Sequence, residues 1–220
     1  MNIYLVVEGF GEKEVYSRWV PYLNSKFTIV QNINDVKKNN IFIVSGGGYP
    51  NYFDVITAGA KDVSENNNFD RFIVAIDSED MTYNDKKNEI DNFISDLNFD
   101  IEYKIIVQHF CLETWGLGNQ FIVARNPNLV KVKRYRKIWD VLDNDPELLP
   151  DLNSDGLNRA QFAERYLRAL LNDKYRNLTY TKKKPKVLYN RKYFQRIRSR
   201  FNDTNHIKSF NDFIDAFNSR

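Results

Sequence analysis

The sequence predicts an α/β protein with a parallel-sheet core of about four strands and flanking helices, followed by a basic, mainly helical C-terminal part. Short uninterrupted apolar runs alternate with helical patterns over the first half of the chain. Such runs are typical of strands that are covered on both faces, as in a parallel sheet. Lysine and arginine are concentrated in the second half. We therefore expect the core in residues 1–122 and a basic extension, packed on the core, in residues 123–220.

Each strand of the core is predicted from an apolar run, and each helix from apolar residues at helical spacing. Glycines in the stretch Glu8-Gly9-Phe10-Gly11 permit a tight turn from the first strand into a helix that Glu12 opens. The predicted strands are 3–7, 41–44, 72–77 and 103–107, with a further strand or a loop at 27–31, and the predicted helices are 12–23, 51–65 and 84–97.

A glycine run at 46–48 follows the second predicted strand. Backbone N–H groups in such a run can approach a phosphate. The run lacks the Lys-Ser/Thr of a P-loop, so it is weak evidence for a nucleotide site.

The second half is predicted to be helical on either side of a loop. The segment 143–156 contains Asp and Pro and is typical of a loop. Apolar residues between Ala163 and Leu171 predict one amphipathic helix. Phe210 and Phe213 belong to another, with Ser209 and Asp212 at the spacing of a capping box.

Composition excludes several classes of protein. The net charge is +3, and no apolar run approaches the roughly 18 residues that a membrane span needs. The N-terminus is predicted to be a strand, because it lacks the basic region and cleavage site of a signal peptide. A single Cys111 excludes an internal disulfide and fits the reducing cytoplasm. With so few histidines and cysteines, a zinc site is not expected.

Acidic side chains follow the ends of the predicted strands. Glu8 follows the first strand, Asp77 closes the third, and Glu113 comes soon after the fourth. Parallel strands end at one edge of a sheet, so we expect these carboxylates to converge. Like charges at close range need a cation, and Mg²⁺ or Mn²⁺ prefers oxygen ligands. The predicted ligand set is Glu8, Glu12, Asp77, Glu79, Asp80 and Glu113.

Each of these residues also has a structural interpretation. Asp77 suits the cap of a helix after a strand, and Glu12 favours a helix N-terminus through the dipole. Glu113 fits one half of a buried ion pair. His109 and the tryptophans fit the core better than a ligand or stacking role. Ser/His/Asp catalysis is disfavoured, because no nucleophile elbow is present.

A second charge pattern lies near the C-terminus, where residues 181–202 carry many basic side chains and no acid. A basic surface beside an acidic pocket suits a polyanionic substrate, and Tyr189, Tyr193 and Phe194 add aromatic rings for stacking, although Phe194 fits the core better. The alternative is a solvated helix face. The predicted nucleic-acid-binding residues are Lys183, Lys186, Arg191, Lys192, Arg196, Arg198 and Arg200.

The order Val6-Val7-Glu8-Gly9-Phe10-Gly11-Glu12, followed by Ile76-Asp77-Ser78-Glu79-Asp80, resembles the Toprim domain of topoisomerases, primases and overcoming-lysogenization-defect (OLD) nucleases. The Glu-Gly-x-x-Glu form is closer to the OLD branch than to topoisomerases. This resemblance covers residues 1–120. The stretches Leu112-Glu113-Thr114-Trp115 and Tyr180-Thr181-Lys182-Lys183-Lys184-Pro185 resemble small stand-alone Toprim-like proteins of bacteria and phages, many of which sit in defence loci.

The resemblance implies a role for individual residues. Glu8 would be a metal ligand or general base, Glu12 an added ligand, and Asp77 the first acid of an Asp-x-Asp motif. Glu79 occupies the second acid position of that motif, with Asp80 beside it. OLD-type nucleases also use a late lysine near the scissile phosphate, which Lys182, Lys183 or Lys184 would supply.

The expected function is a divalent-metal-dependent nuclease that hydrolyses phosphodiester bonds of DNA or RNA, with a role in anti-phage defence implied by the resemblance. One alternative is a non-catalytic Toprim-like module that binds nucleic acid or a partner. Another is a different phosphoryl-transfer enzyme, such as a primase-like protein. The chain has no ATPase motif, so an ATPase would be a separate subunit. The oligomeric state is left open, with a dimer as one option.

Overall fold

A computed structural model describes residues 1–97, 99–175, 178 and 180–218. It confirms the predicted α/β fold class, with five parallel strands in one sheet and helices that flank it. The strands are β1 (Ile3–Val7), β2 (Thr28–Val30), β3 (Asn40–Ser45), β4 (Arg71–Asp77) and β5 (Glu102–Gln108). The segment at 27–31, for which the sequence left a strand or a loop open, supplies the short strand β2.

The helices of the first half follow the predicted order. They are α1 (Phe10–Leu23), α2 (Tyr52–Glu65) and α3 (Tyr83–Ser95). The second half contains α4 (Leu112–Leu117), α5 (Val130–Ile138), α6 (Arg159–Lys174), α7 (Arg191–Thr204) and α8 (Phe210–Ala216). Short 3-10 turns lie at Ile33–Asp35, Gln120–Ile122, Pro146–Leu148, Asn153–Asp155 and Lys186–Tyr189, so the predicted loop at 143–156 is partly ordered into turns.

The strand order across the sheet is β2-β3-β1-β4-β5, which places β1 between β3 and β4. Val7 at the end of β1 lies beside Ser45 on one neighbour and Ala75 on the other. The chain first builds the β3 side of β1 and then the β4 side, so the direction of winding reverses at β1 and β4. Open α/β sheets bind ligands at such a reversal, beyond the carboxyl ends of the strands.

The chain divides into two compact units. Unit 1 comprises Met1–Ile76, Thr82–Val107 and the chain from Asn211 onward, and unit 2 comprises Asp77–Met81 and Gln108–Phe210. This division differs from the predicted boundary at residue 122, because α4 packs on α6 and α7 and groups with the C-terminal helices. The end of the chain is also reassigned, since Phe213 packs edge-on against Tyr16 of α1 in unit 1.

Unit 1 buries both faces of its sheet, as the uninterrupted apolar strands predict. On one face, Tyr4 and Val6 of β1 share a core with Ile56 of α2 and Ile90 of α3. Alternate strand residues point to the other face, where α1 lies along β1 and β3. Trp19 of α1 is fully buried, which confirms its predicted core role.

Unit 2 is built around α6, which packs against α4 and α5. Tyr135 of α5 packs edge-on against Phe162 and Tyr166 of α6. The α4 helix comes so close to α6 that a Cβ on Gly116 would lie 2.9 Å from Leu167 Cδ2. Among the described residues of either unit, no helix is both long and apolar enough to cross a membrane.

Ser209 and Asp212 bond to distant side chains instead of forming the predicted capping box. The Ser209 hydroxyl accepts a hydrogen bond from Trp115 Nε1 at 2.7 Å and donates to Glu147 in unit 2. In unit 1, Asp212 Oδ2 accepts a bond from the Tyr83 hydroxyl at 2.6 Å. Tertiary partners thus replace the local capping bonds that the spacing suggests.

Candidate functional site

Asp77 is the last residue of β4 and is 2% exposed. Its Oδ1 accepts a hydrogen bond from Gln108 Nε2 at 3.0 Å, at the end of β5. Its Oδ2 lies 3.8 Å from the Lys182 ammonium. The carboxylate is therefore oriented by an amide on one oxygen and faces a cation with the other.

Glu79 lies two residues further on, in a left-handed backbone conformation with φ 50°. Its N–H donates to Phe110 O at 2.9 Å, which helps to hold this conformation. A carboxylate oxygen of Glu79 lies within 4.8 Å of one of Asp77. Non-glycine residues rarely adopt positive φ, and such positions collect at functional sites. Asp80 turns away, because its exposed carboxylate accepts a bond from Asn158 Nδ2 at 3.1 Å.

Glu113 is in the first turn of α4 and is 1% exposed. Its Oε1 accepts a hydrogen bond from the Tyr180 hydroxyl at 2.6 Å. Within the part of the chain that the structure describes, Glu113 Oε2 and Gln108 Oε1 are buried without a hydrogen-bond partner. Buried acceptors in proteins are usually paired, so these two oxygens are available to a hydrogen-bond donor or a cation.

Lys182 is the late lysine that reaches this acidic group. Partial burial lowers the pKa of its ammonium, but the carboxylates of Asp77 and Glu113 raise it more, so the net pKa is raised. A tight turn from Thr181 to Lys184, closed by a 2.9 Å N–H to O bond, presents the side chain. Lys183 and Lys184 are exposed on the same turn. Of the lysines that the sequence left open, Lys182 alone is paired with Asp77.

Cys111 precedes α4 and is completely buried. Burial raises the pKa of its thiol, and the carboxylates of Glu113 and Asp77 raise it further. The thiol is therefore neutral at physiological pH, and it donates to Ala160 O at 3.6 Å. Cys111 adds no charge to the group.

His109 is a structural residue of unit 2, as its sequence context favoured. Its Nδ1 lies 3.0 Å from the Ser78 hydroxyl oxygen, which itself accepts a bond from the Phe110 N–H at 3.1 Å. Burial and the nearby charge of Arg159 lower the pKa of His109 to about 4. A neutral ring is therefore expected at pH 7, and it holds the backbone between β4 and Glu79 in place.

In unit 1, Glu8 directly follows β1, the strand that pairs in parallel with β4. Its carbonyl oxygen accepts a hydrogen bond from the Gly48 N–H at 2.9 Å. The Gly46 N–H bonds to Val7 O at 2.7 Å. The N–H groups of Gly46 and Gly48 are therefore engaged at the end of β1, which disfavours their use in binding a phosphate.

Glu12 is 8% exposed in the first turn of α1. Its carboxylate folds back over the start of the helix, where Oε2 would lie 2.8 Å from a Cβ on Gly9. An acidic group at this place is favoured by the helix dipole. The conformation fits the alternative, structural interpretation of Glu12.

Most of the predicted basic surface lies on the outside of unit 2. Lys183, Lys184, Lys186, Arg191, Lys192 and Arg198 are exposed. The assignment of Arg200 to that surface is wrong, because it is 2% exposed and donates to Val141 O and Asn144 O at 3.0 Å each. Tyr193 and Phe194 are also buried and do not offer rings for stacking, whereas Phe121 does, being 59% exposed.

Sequence reasoning missed Gln108 and Tyr180 as members of the site. Gln108 is a polar residue at the end of an apolar strand, at the same sheet edge as Asp77. This position could have indicated that Gln108 belongs to the site. Tyr180 lies 67 residues from Glu113 in the chain, and no local pattern connects the two.

The site therefore combines paired carboxylates, an oriented amide and a lysine at the end of β4. Comparison of the chain with protein-family models, with curated proteins and with solved structures finds no match.

Proposed function

We propose that this chain is a divalent-metal-dependent nuclease that hydrolyses phosphodiester bonds of DNA or RNA. The observation that carries the proposal is the Lys182 ammonium 3.8 Å from the buried carboxylate of Asp77 at the end of β4. Carboxylates alone repel a phosphodiester. A lysine among them supplies the positive charge that draws a phosphate into an acidic site and stabilises charge that develops on it.

The donor set fits Mg²⁺ or Mn²⁺, because it consists of oxygen atoms. The carboxylates of Asp77 and Glu79 in unit 2 would hold the ion. Glu8 is proposed as a further ligand on the sequence argument that parallel strands such as β1 and β4 end at one edge of a sheet. Glu113, whose Oε2 is buried without a hydrogen-bond partner, would be a further oxygen donor of unit 2. When bound, the ion supplies Lewis-acid stabilisation of the phosphate and activation of water.

The protein's own residues would have separate tasks. Gln108 fixes the orientation of Asp77 through the 3.0 Å bond to Oδ1, and Tyr180 fixes Glu113 in the same way. The pKa of Lys182 is raised by its carboxylate neighbours, so the side chain remains protonated at physiological pH. Lys182 therefore binds a phosphate oxygen as a cation and does not serve as a proton acceptor.

A non-catalytic module that binds nucleic acid or a partner is the second candidate. It is favoured by the ion pair of Lys182 with Asp77, which offsets part of the like-charge repulsion without a metal. Glu79 stands in place of the second acid of an Asp-x-Asp motif and has a left-handed backbone conformation. This departure also favours the binding module. The Toprim relationship, a role in anti-phage defence, an ATPase partner and a cytoplasmic location are further parts of the proposal that rest on the sequence.

The test is cleavage of single-stranded and duplex DNA and RNA by the purified chain with Mg²⁺, Mn²⁺ or EDTA. Asp77→Asn and Glu8→Gln remove a charged ligand at nearly constant volume, and we expect both to reduce metal-dependent cleavage by at least about a thousandfold. Lys182→Ala should cost about a hundred- to a thousandfold, the usual effect of losing one charge-stabilising donor. Lys61→Ala is the control and should stay within about threefold, since it removes an exposed cation of unit 1 that has no part in the proposed site.

Equal cleavage by wild type and Asp77→Asn would refute the assigned site. Calorimetric titration with Mn²⁺ separates the two candidate functions. A wild-type chain that neither binds Mn²⁺ nor cleaves any substrate, but binds nucleic acid, would establish the binding module instead.

A further inference from the structure

Two adjoining grooves run along α7 in unit 2. The larger, of about 630 Å³, is lined by Phe121, Tyr175, Lys186, Lys192 and Arg196, with Asn119 and Asn190 among its polar side chains. The smaller, of about 480 Å³, shares Lys192 and Arg196 and adds Arg198. The described residues that line the two grooves include no acid. Together they form a cationic track with an aromatic pocket on one side.

The pocket is built around a stacked pair. The Arg196 guanidinium carbon lies 3.5 Å from the centre of the Phe121 ring, which places the cation over one face of the aromatic. Stacking of this kind restricts the arginine and leaves its N–H donors available at the edge of the guanidinium plane. Phe121 nevertheless remains 59% exposed, so much of its ring is open to a ligand.

We propose that this pocket takes a base of single-stranded nucleic acid, while the adjoining cations hold the phosphates on either side. Arg196 and Lys192 line both grooves and are placed to bind consecutive phosphates. Phe121 and the 45% exposed Tyr175 offer rings on which a base can stack. The larger groove has the volume of a small-molecule site, roughly 300–1,000 Å³, which suits one nucleotide.

Charge and shape together select a single strand. An acidic peptide would be attracted by the cations but has no general use for an exposed aromatic in a groove. A duplex presents its phosphates on a rigid surface and keeps its bases stacked internally, so it cannot fill the pocket. An unpaired base satisfies both the aromatic ring and the flanking charges. The inference rests on the proposed function and deepens it by naming the strand preference of the substrate.

The experiment is fluorescence anisotropy in EDTA, which stops cleavage and makes binding independent of the metal. The probes are labelled twelve-nucleotide oligothymidylate, the same backbone with abasic residues, and a twelve-base-pair duplex. Phe121→Ala should weaken binding to oligothymidylate by roughly 5- to 150-fold, the range expected for one stacked base, without changing the salt slope. Phe121→Leu should lose most of the same affinity, since it keeps an apolar side chain but lacks a ring.

The abasic probe isolates the stacking. On it, wild type and Phe121→Ala should bind alike, while Arg196→Ala should weaken both probes and flatten the salt slope by about 0.7. Lys61→Ala removes an exposed cation of unit 1, with a side chain that is 75% exposed, and should change nothing. Equal losses on both probes, unchanged oligothymidylate binding by Phe121→Ala, or duplex binding as tight as single-strand binding would each overturn the inference.

This result is separable from the fate of the proposed function. If the Asp77→Asn variant binds oligothymidylate normally but does not cleave it, the result supports both the nuclease and the base-binding pocket. If the wild-type chain cleaves nucleic acid but its binding does not depend on Phe121, the result refutes the pocket and leaves the nuclease standing.

Discussion

The buried carboxyl of Glu147 provides a test of how charge burial affects the stability of unit 2. It is 8% exposed, and it accepts hydrogen bonds from the Ser209 N–H at 3.1 Å and from the Ser209 hydroxyl. Burial raises the pKa of its carboxyl from 4.5 to about 7, in spite of the opposing bonds from Ser209. Asp145 adds to the rise through its negative charge.

The sign of the effect follows from proton binding. Below pH 4.5 the carboxyl is protonated in both states, and burial of a charge costs nothing. Between pH 4.5 and about 7 the unfolded chain releases the proton first, so the contribution of Glu147 to stability falls as pH rises. Above pH 7 the cost is complete. At 1.36 kcal/mol per pKa unit, a rise from 4.5 to about 7 corresponds to about 3 kcal/mol.

Glu147→Gln removes the ionisation and keeps an oxygen for Ser209. We expect the variant to match wild type at pH 4.5 and to be more stable by up to about 3 kcal/mol at pH 8. The measurement is urea unfolding at several pH values, followed by tryptophan fluorescence, because Trp115 bonds to the same Ser209. Glu65→Gln, at a side chain that is 64% exposed, is the control and should show no such trend. A difference between Glu147→Gln and wild type that does not vary with pH would refute the reasoning.

Two further predictions concern packing. Gly46→Ala should destabilise the chain by about 1–3 kcal/mol in urea unfolding, since the new Cβ would lie 2.5 Å from Tyr52 Cβ; a smaller loss would show that the loop can move aside. Arg200→Ala should cost about 2–4 kcal/mol by leaving the carbonyls of Val141 and Asn144 unsatisfied, yet leave the salt slope of nucleic-acid binding unchanged. Arg198 is exposed, so Arg198→Ala should leave the stability unchanged and flatten the salt slope of nucleic-acid binding. Similar effects of the two variants would contradict the burial of Arg200.

The core strands could be predicted from the sequence because their signal is local. Uninterrupted apolar runs such as the one ending at Asp77 belong to strands buried on both faces, and β4 is indeed buried throughout. The short β2 left a weaker signal, since its residues are partly exposed at the edge of the sheet. The burial of Arg200 could also be predicted in part from the sequence. Arg200 follows the buried Ile197 by three residues, so the two side chains share one face of α7.

The composition of the site could be predicted only in part. Strand-end carboxylates are visible from sequence, because topology alone brings such ends together. The choice of Lys182 over its neighbours depends on the turn at Thr181, and one step along that turn sends Lys183 to the surface. The bond of Gln108 to Asp77 joins residues 31 positions apart, which no local pattern reports. The position of Glu79 in left-handed backbone is likewise set by its bond to Phe110 rather than by its own preference.

Charge balance bears on the choice between a nuclease and a binding module. The carboxylates that raise the pKa of Lys182 belong to Asp77, Glu113 and Glu79, while the neighbouring Cys111 thiol stays neutral. One ammonium among three carboxylates leaves an excess of about two negative charges, and two of these carboxylates, Asp77 and Glu113, are almost fully buried. A bound divalent cation would carry the compensating charge. The ion pair with Lys182 thus accounts for the stability of Asp77 but not for that of the whole group, and for this reason we favour the metal-dependent nuclease over the module.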